Sequence, residues 1–211
     1  MSLLMKQGGP ARGASSLAGH EVLTGPDPSV CKVAGVMFAA RREFLINDLG
    51  ERTFYSILTT LTPVTLQQAM NPLASAWYDF STIVEYDRAI YAAVHTRYPY
   101  ILELIGAASA ELGIGRVFHE LDAAELYAFL ENLAQFHAQY QKFGRLTLER
   151  TPTGANMHYH DYPCYSPYFC ASGNGFMLEA VLRHGATEAN VVETKCHCRG
   201  DAVCTYELTW R

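Results

Sequence analysis

The 211-residue sequence lacks the features that mark several common functional classes. Its Lys and Arg residues form no block and the net charge is −5, which argues against direct binding of nucleic acid. No apolar run approaches the roughly 18–20 residues of a membrane span. The N-terminus carries a charge at Lys6 but no apolar segment after it, so a secretion signal is not expected. These absences predict a soluble, cytoplasmic protein.

Recognisable catalytic motifs are also missing. The sequence has no nucleophile elbow, phosphate loop or dinucleotide fingerprint, and no nucleophile stands beside an obvious base. An enzyme is therefore disfavoured. Charged residues make up only 18% of the chain, whereas aromatic residues make up 12%, including 13 Tyr and 10 Phe. A chain of this composition can bury a cavity lined by rings, which favours a binding protein.

The apolar pattern divides the chain into three segments. Residues 1–30 are rich in Gly and Pro and are expected to form a disordered arm. Residues 31–211 are expected to form a single domain, with a helical half over 31–143 and a sheet-containing half over 144–211. Helical periodicity predicts five helices, over residues 33–49, 51–61, 81–97, 99–112 and 122–143, the last capped by Asp122.

Alternating patterns appear after Gly144. They predict two hairpins on either side of a helix, with strands over 145–150, 155–162, 189–198 and 203–210 and the helix over 166–182. The predicted fold class is therefore α+β, in which N-terminal helices pack on a small antiparallel sheet and the C-terminal half has the order β-β-α-β-β.

The cysteines are concentrated near the C-terminus, with five of the six in the last 50 residues. In a cytosolic chain they are read as metal ligands or buried thiols before disulfides. Cys196 and Cys204 flank a tight turn that would place them opposite each other, and Cys170 on the preceding helix can supply a third thiolate. Zinc needs about four such ligands. Buried free thiols are the alternative.

The residues alone leave the fourth ligand open. Glu193 lies three positions before Cys196, so an ideal strand would point the two side chains to opposite faces. A bulge would be needed to bring them together. Cys198 and His197 are the obvious substitutes.

The order of these residues resembles the 4-vinyl-reductase-type (4VR) domain, which occurs in phenol-sensing transcriptional activators. The shared pattern is a Cys, then Glu-x-x-Cys, then a Gly-Asp turn and a last Cys, with gaps of 23, 3 and 8 residues. The resemblance covers about residues 144–211 well and the helical half loosely. It implies Cys170, Glu193, Cys196 and Cys204 as ligands of a structural zinc. It also implies a fold shared with the haem-NO-binding domains and the TRAPP vesicle-tethering subunits.

A second segment resembles the haem-NO-binding domains. The run from Asn132 to His137 is similar to the segment that carries their proximal histidine, which implies His137 as a haem ligand. Those domains also have a Tyr-x-Ser-x-Arg clamp for the haem propionates. The matching run here begins at Tyr159 and has Asp161 and Pro163 in place of the Ser and Arg, so the charge-assisted anchor is missing.

Three functions follow as hypotheses. The first is a zinc-stabilised sensory domain for a small apolar or aromatic ligand, acting in signalling or transcriptional regulation through a separate partner, and homodimeric like its relatives. The second is a haem-binding gas sensor, and the third a TRAPP-like scaffold. Helical aromatic residues are candidates for the ligand pocket, although such a stripe also suits an ordinary core; they are Tyr78, Tyr127, Phe136 and Tyr140.

Overall fold

The computed structural model describes Leu17, Leu23, Gly25 and residues 28–117 and 126–211. The predicted cap Asp122 and most of the predicted N-terminal arm lie outside the described residues. Within that arm, Leu17 is buried in the core of the helical half, and Leu23 packs against the same core.

The N-terminal half of the domain is built from helices and one small two-stranded sheet. The helices are α1 (Val36–Phe44, extended by a π-helical segment, Leu45–Leu49), α2 (Glu51–Leu58), α3 (Pro63–Met70), α4 (Phe80–Val94), α5 (Ile101–Val117) and α6 (Leu126–Phe136). The strands β1 (Lys32–Ala34) and β2 (Trp77–Asp79) pair antiparallel.

This half differs from the prediction at several helix boundaries. Val33, the expected start of the first helix, pairs with Tyr78 in the small sheet. The sequence did not predict this strand, because three residues are too few to show a period of two. Helix α3 was not predicted, and Pro63 begins it at the first helical position, where the missing N–H of proline costs nothing. Helix α5 continues past Gly113 to Val117, and α6 ends at Phe136, well before Gly144.

The C-terminal half has the predicted order. Strands β3 (Arg145–Thr151) and β4 (Gly154–His160) form one hairpin, helix α7 (Pro167–Arg183) follows, and β5 (Ala189–Lys195) and β6 (Cys204–Trp210) form the second. All pairs are antiparallel, and the strand order is β3-β4-β6-β5. The predicted α+β class with a β-β-α-β-β half is confirmed. No helix in the described ranges is long and apolar enough to cross a membrane.

Helices α5 and α7 join the two halves by an unusually close contact. A Cβ atom placed on Gly106 would lie 1.8 Å from the carbonyl oxygen of Ser172, and one on Gly175 would lie 1.8 Å from that of Glu103. Only glycine permits this approach of backbone to backbone. Helix α7 is thereby held between α5 and the sheet, and both the cysteine cluster and the main cavity depend on its position.

One pair of cysteines departs from the sequence-based expectation. Cys31, just before β1, and Cys164, just before α7, form a disulfide, and both residues are fully buried. For these two residues the expectation of a metal ligand or buried thiol is wrong. Their separation of 133 residues gave no pattern from which the pairing could be predicted.

Candidate metal centre and adjoining cavity

The cysteine cluster begins with the turn between β5 and β6. His197–Arg199 forms a short 3-10 helix, and Gly200 follows with φ 95°, a left-handed conformation that suits glycine. The Asp201 carboxylate accepts a hydrogen bond from the backbone N–H of Cys196 at 2.7 Å. This bond fixes the turn so that Cys196 and Cys204 stand on its two sides.

A β-bulge brings Glu193 to the same face as Cys196. Glu193 pairs with Tyr206, whereas Lys195 pairs with Thr205, so the register shifts between these two residues of β5. The extra residue offsets the alternation of a regular strand. This is the irregularity that the three-residue spacing of Glu193 and Cys196 requires.

Cys170 on α7 completes a compact group with Glu193, Cys196 and Cys204. Their ligand atoms all lie within 4.8 Å of one another. The Cys170 and Cys204 sulfurs are 3.9 Å apart, and those of Cys170 and Cys196 are 4.0 Å apart. In a tetrahedron with zinc–sulfur bonds of about 2.3 Å, two sulfurs lie about 3.8 Å apart. The spacing therefore suits a tetrahedral zinc ion.

Glu193 carries an unusual carboxylate. Its Oε2 atom accepts a hydrogen bond from Arg199 at 2.9 Å, whereas its Oε1 atom is buried without a hydrogen-bond partner in the described part of the chain. An unpartnered buried oxygen is costly. Burial, and then the nearby Cys196, raises the pKa of Glu193 to about 8. A cation bound to Oε1 would give this oxygen a partner and would stabilise the ionised form of the carboxylate.

Deprotonation of one thiol in this group is favoured, whereas deprotonation of a second thiol is disfavoured. Hydrogen bonds from Cys170 and other thiols lower the pKa of Cys196, while the bond to Cys196 raises the pKa of Cys170 well above its usual range. Metal binding would deprotonate all the thiols, since thiolates are the ligands. The group thus has the donor set and the electrostatic demand of a zinc site.

The two alternative ligands are placed differently. Cys198 is half-buried and interacts with Cys170 and Cys196, but it is outside the group of four. The His197 ring stacks on Tyr165 at 4.0 Å between centroids, and its backbone N–H donates to the Cys204 sulfur at 3.3 Å. Glu193 is therefore the fourth member that the geometry brings in.

A cavity of about 90 Å³ lies between α1, α5, α7 and the sheet. Most of its lining is apolar, including Val36, Leu133, Leu146, Phe176 and Met177. The polar residues on its wall are Ser109, His137, Tyr140, Gln141, Tyr159 and Ser172. A second cavity of about 30 Å³ shares Tyr159, Phe169 and Gly173 with the first and reaches Cys170 and Cys204. The cavities and the cysteine cluster thus occupy one continuous region.

His137 is one of the buried polar residues on the wall of the main cavity. Burial lowers its pKa to about 4, so the imidazole is neutral at physiological pH. Its Nε2 atom lies 2.5 Å from the Tyr162 hydroxyl, which donates to the Gln141 side chain at 3.1 Å. The Tyr140 hydroxyl is buried without a partner among the described residues. A ligand would therefore meet an apolar chamber with one polar end.

The other candidate pocket residues are placed away from this chamber. Tyr78 packs on Phe38 and accepts a hydrogen bond from the Leu73 N–H. The Tyr127 hydroxyl donates to the Gly154 carbonyl at 3.0 Å, and Phe136 packs on the sheet core. Of the four aromatic candidates, Tyr140 lines the cavity. The contacts of Tyr162 and Gln141 with His137 were not predicted, because nothing in the sequence marks them.

Comparisons with known proteins bear on the fold. No family model and no curated protein matches the sequence. An H-NOX protein from S. oneidensis in the Fe(II)NO ligation state superimposes with a TM-score of 0.66 at 11% identity, covering 84% of this chain and 99% of that one. The unliganded Fe(II) H-NOX protein from K. algicida gives 0.62 at 14% identity, covering 84% and 96%.

A third solved structure agrees with these two. The H-NOX protein from Shewanella woodyi, bound to IWP-051 in the Fe(II)CO state, gives a TM-score of 0.60 at 14% identity, covering 83% of this chain and 93% of that one. At such low identities the similarity extends to the fold and not to the ligand. The chain adopts the fold of the H-NOX proteins.

Proposed function

We propose that this chain is a sensory domain that binds a ligand in the cavity beside His137 and zinc at the group formed by Cys170, Glu193, Cys196 and Cys204. The observation that carries the proposal is this four-residue group next to a buried cavity. It supports the 4VR resemblance, whose ligand spacing the group has. The shared H-NOX fold supports a sensory role.

The zinc would have a structural role. Three thiolates and one carboxylate fill a tetrahedral site and leave no position for a substrate. The ion would tie the β5–β6 turn to α7 through Cys170. Because Ser172, Gly173, Phe176 and Met177 on the same helix line the cavity, the zinc site would also hold the cavity wall in place.

The first ligand class is a small apolar or aromatic molecule. The cavity of about 90 Å³ is smaller than the roughly 150 Å³ of an engineered cavity that binds benzene, so a single ring enters after a modest adjustment of side chains. We expect single-ring aromatic compounds to raise the Tm of the wild type, and Ala40→Leu, which fills the cavity wall, to abolish that effect. Thermal unfolding with a panel of such compounds tests this. No shift with any compound would count against this ligand class.

Haem is the second ligand class, and the comparisons favour it over the first. The neighbours are H-NOX proteins in Fe(II), Fe(II)NO and Fe(II)CO states. His137, a buried neutral imidazole on the cavity wall, would be the ligand, with Tyr159 beside it. The cavity in its present form does not accept a porphyrin, since it is smaller than a benzene-sized site, and the Arg of the propionate clamp is replaced by Pro163.

Reconstitution with hemin decides between the two classes. If haem is the ligand, the wild type develops a Soret band with one hemin per chain, and His137→Ala shifts the band and weakens binding at least about tenfold, the loss expected for one strong contact. Ser109→Ala, on the same cavity wall, is the matched control and retains the wild-type spectrum. Absence of a Soret band in the wild type removes haem as a candidate.

Dimerisation, a separate signalling partner and a cytoplasmic location are further parts of the proposal. They rest on the 4VR resemblance and on composition. Light scattering on the purified chain tests the dimer. The Cys31–Cys164 disulfide is unusual for a reducing compartment. Thiol counting on the protein as isolated from its own cells therefore tests the location: reduced Cys31 and Cys164 agree with a cytoplasmic protein, and an intact disulfide counts against it.

A further inference from the structure

Arg199 lies in the turn between β5 and β6 and contacts two members of the group of four. Its backbone N–H donates to the Cys196 carbonyl at 2.8 Å. Its side chain extends back to β5, where Nη1 donates to Glu193 Oε2 at 2.9 Å and Nη2 donates to the Glu193 carbonyl at 3.1 Å. Arg199 therefore links the two members that lie on either side of the register shift in β5.

The main chain of Arg199 is fixed by the turn itself. The Cys196 carbonyl accepts hydrogen bonds from the N–H groups of Arg199 and Asp201, and the Asp201 carboxylate accepts the Cys196 N–H at 2.7 Å. These bonds are formed within the protein and require no metal. The guanidinium is therefore brought to Glu193 by the fold of the turn.

Two hydrogen bonds to one residue restrict the Glu193 side chain. A free glutamate side chain has several rotatable bonds, and ordering it costs entropy. The guanidinium is planar and holds its donors at fixed angles. With one donor on the carboxylate and another on the main chain of the same residue, it fixes the carboxylate relative to its own backbone. The exposed fraction is 9% for the Glu193 side chain and 39% for Arg199, so the pair lies at the boundary between the group and solvent.

The two carboxylate oxygens of Glu193 are thereby made different. Oε2 is occupied by Arg199, whereas Oε1 is buried without a hydrogen-bond partner in the described part of the chain. A carboxylate that used both oxygens would give a metal ion five ligand atoms with the three thiolates, which exceeds the tetrahedral number. Three thiolates and a carboxylate also outweigh the charge of a divalent ion, and the guanidinium offsets part of this excess.

We propose that Arg199 is the positioning residue of the metal centre: it holds Glu193 so that a divalent ion takes one carboxylate oxygen and remains four-coordinate. The inference rests on the proposed function for the zinc ion. The contacts that carry it are present in the protein without metal.

Arg199→Ala removes both contacts to Glu193. Competition with a chelator of known zinc affinity is expected to show about 10- to 100-fold weaker zinc binding, the usual effect of losing a partner that orients a metal ligand. Lys195→Ala is the matched control, because it removes an exposed positive charge from the same strand. Its zinc affinity should stay within about threefold of the wild type. Equal zinc affinity of Arg199→Ala and the wild type would overturn the inference and leave the zinc site standing. A wild type that takes up no zinc would overturn both.

A second background separates positioning of Glu193 from support of the turn. Glu193→Cys offers the metal four sulfurs and leaves no carboxylate to orient. Adding Arg199→Ala in this background should weaken zinc binding by less than about threefold, because the two changes act through one contact. An equal loss in both backgrounds would mean that Arg199 acts on the turn, which contradicts the positioning role.

Circular dichroism of the metal-free proteins checks that each variant folds. If Arg199→Ala does not fold, Arg199→Lys replaces it, since lysine keeps the charge but lacks the forked donor. This variant should bind zinc at least about threefold more weakly than the wild type. Wild-type affinity in Arg199→Lys would overturn the inference.

Discussion

Cys204→Ser is expected to abolish zinc binding and to lower the Tm by about 8–16 °C. Loss of one of the four ligands prevents zinc binding, so the variant lacks the stabilisation by zinc, which is about 4 kcal/mol when free zinc is about 1,000 times the Kd of the wild-type site. For a domain of this size each kcal/mol shifts the Tm by about 2–4 °C. The measurement is thermal unfolding of both proteins with and without a chelator. The chelator should lower the wild-type Tm and leave the variant unchanged.

The neighbouring cysteine provides the matched control. Cys198→Ser changes a thiol in the same turn that stands outside the group of four. It should keep one zinc per chain and a Tm within about 2 °C of the wild type, because all four proposed ligands remain and a hydroxyl replaces a thiol that is only half-buried. A wild-type Tm in Cys204→Ser, or an equal loss in both variants, would contradict the proposed ligand set.

Asp87→Ala is expected to cost about 3–5 kcal/mol of stability, because it leaves a charged guanidinium buried without its partner. The pair joins α1 to α4, and both side chains are fully buried. Arg41 Nε and Nη2 donate to the two Asp87 oxygens at 2.6 and 2.8 Å. Arg41 also donates to the carbonyl of Met37, a residue of the cavity wall. Urea unfolding monitored by circular dichroism measures the loss, and ligand binding should weaken along with it.

Two comparisons separate the ion pair from simple charge removal. Glu131→Gln breaks the exposed pair with Arg150 and should change stability by less than about 1 kcal/mol. The double variant Arg41→Met with Asp87→Leu replaces the buried pair by apolar groups and should recover most of the loss. If Asp87→Ala lowers the free energy of unfolding no more than Glu131→Gln does, the buried pair contributes no more to stability than an exposed pair.

Much of the fold was predictable because long elements show their period. The two C-terminal hairpins and α7 were placed to within a few residues, since alternation and helical spacing extend over seven or more positions in each. The spacing of Glu193 and Cys196 also led to the expectation of a bulge at the site where the register of β5 shifts. The strands and α7 were predictable from the pattern of neighbouring residues, and the bulge was predictable from the spacing of the proposed metal ligands.

What remained hidden depends on contacts between distant residues. Val33 lies in a stretch with helical periodicity but forms a strand through its pairing with Tyr78, and no local preference predicts this pairing. The His137–Tyr162 contact joins residues 25 apart through a bend at Asp161. Arg41 and Asp87 are charged residues within apolar helical faces. This position makes each of them unusual, but it does not predict that the two side chains pair.

Zinc-edge X-ray absorption of the purified protein tests the central claim most directly, because it counts the atoms bound to the metal. The account predicts three sulfurs at about 2.3 Å and one oxygen at about 2.0–2.2 Å, with the oxygen replaced by a fourth sulfur in Glu193→Cys and the spectrum unchanged in Cys198→Ser. A wild-type spectrum with four sulfurs, or a protein that purifies without zinc and does not take it up, would contradict it.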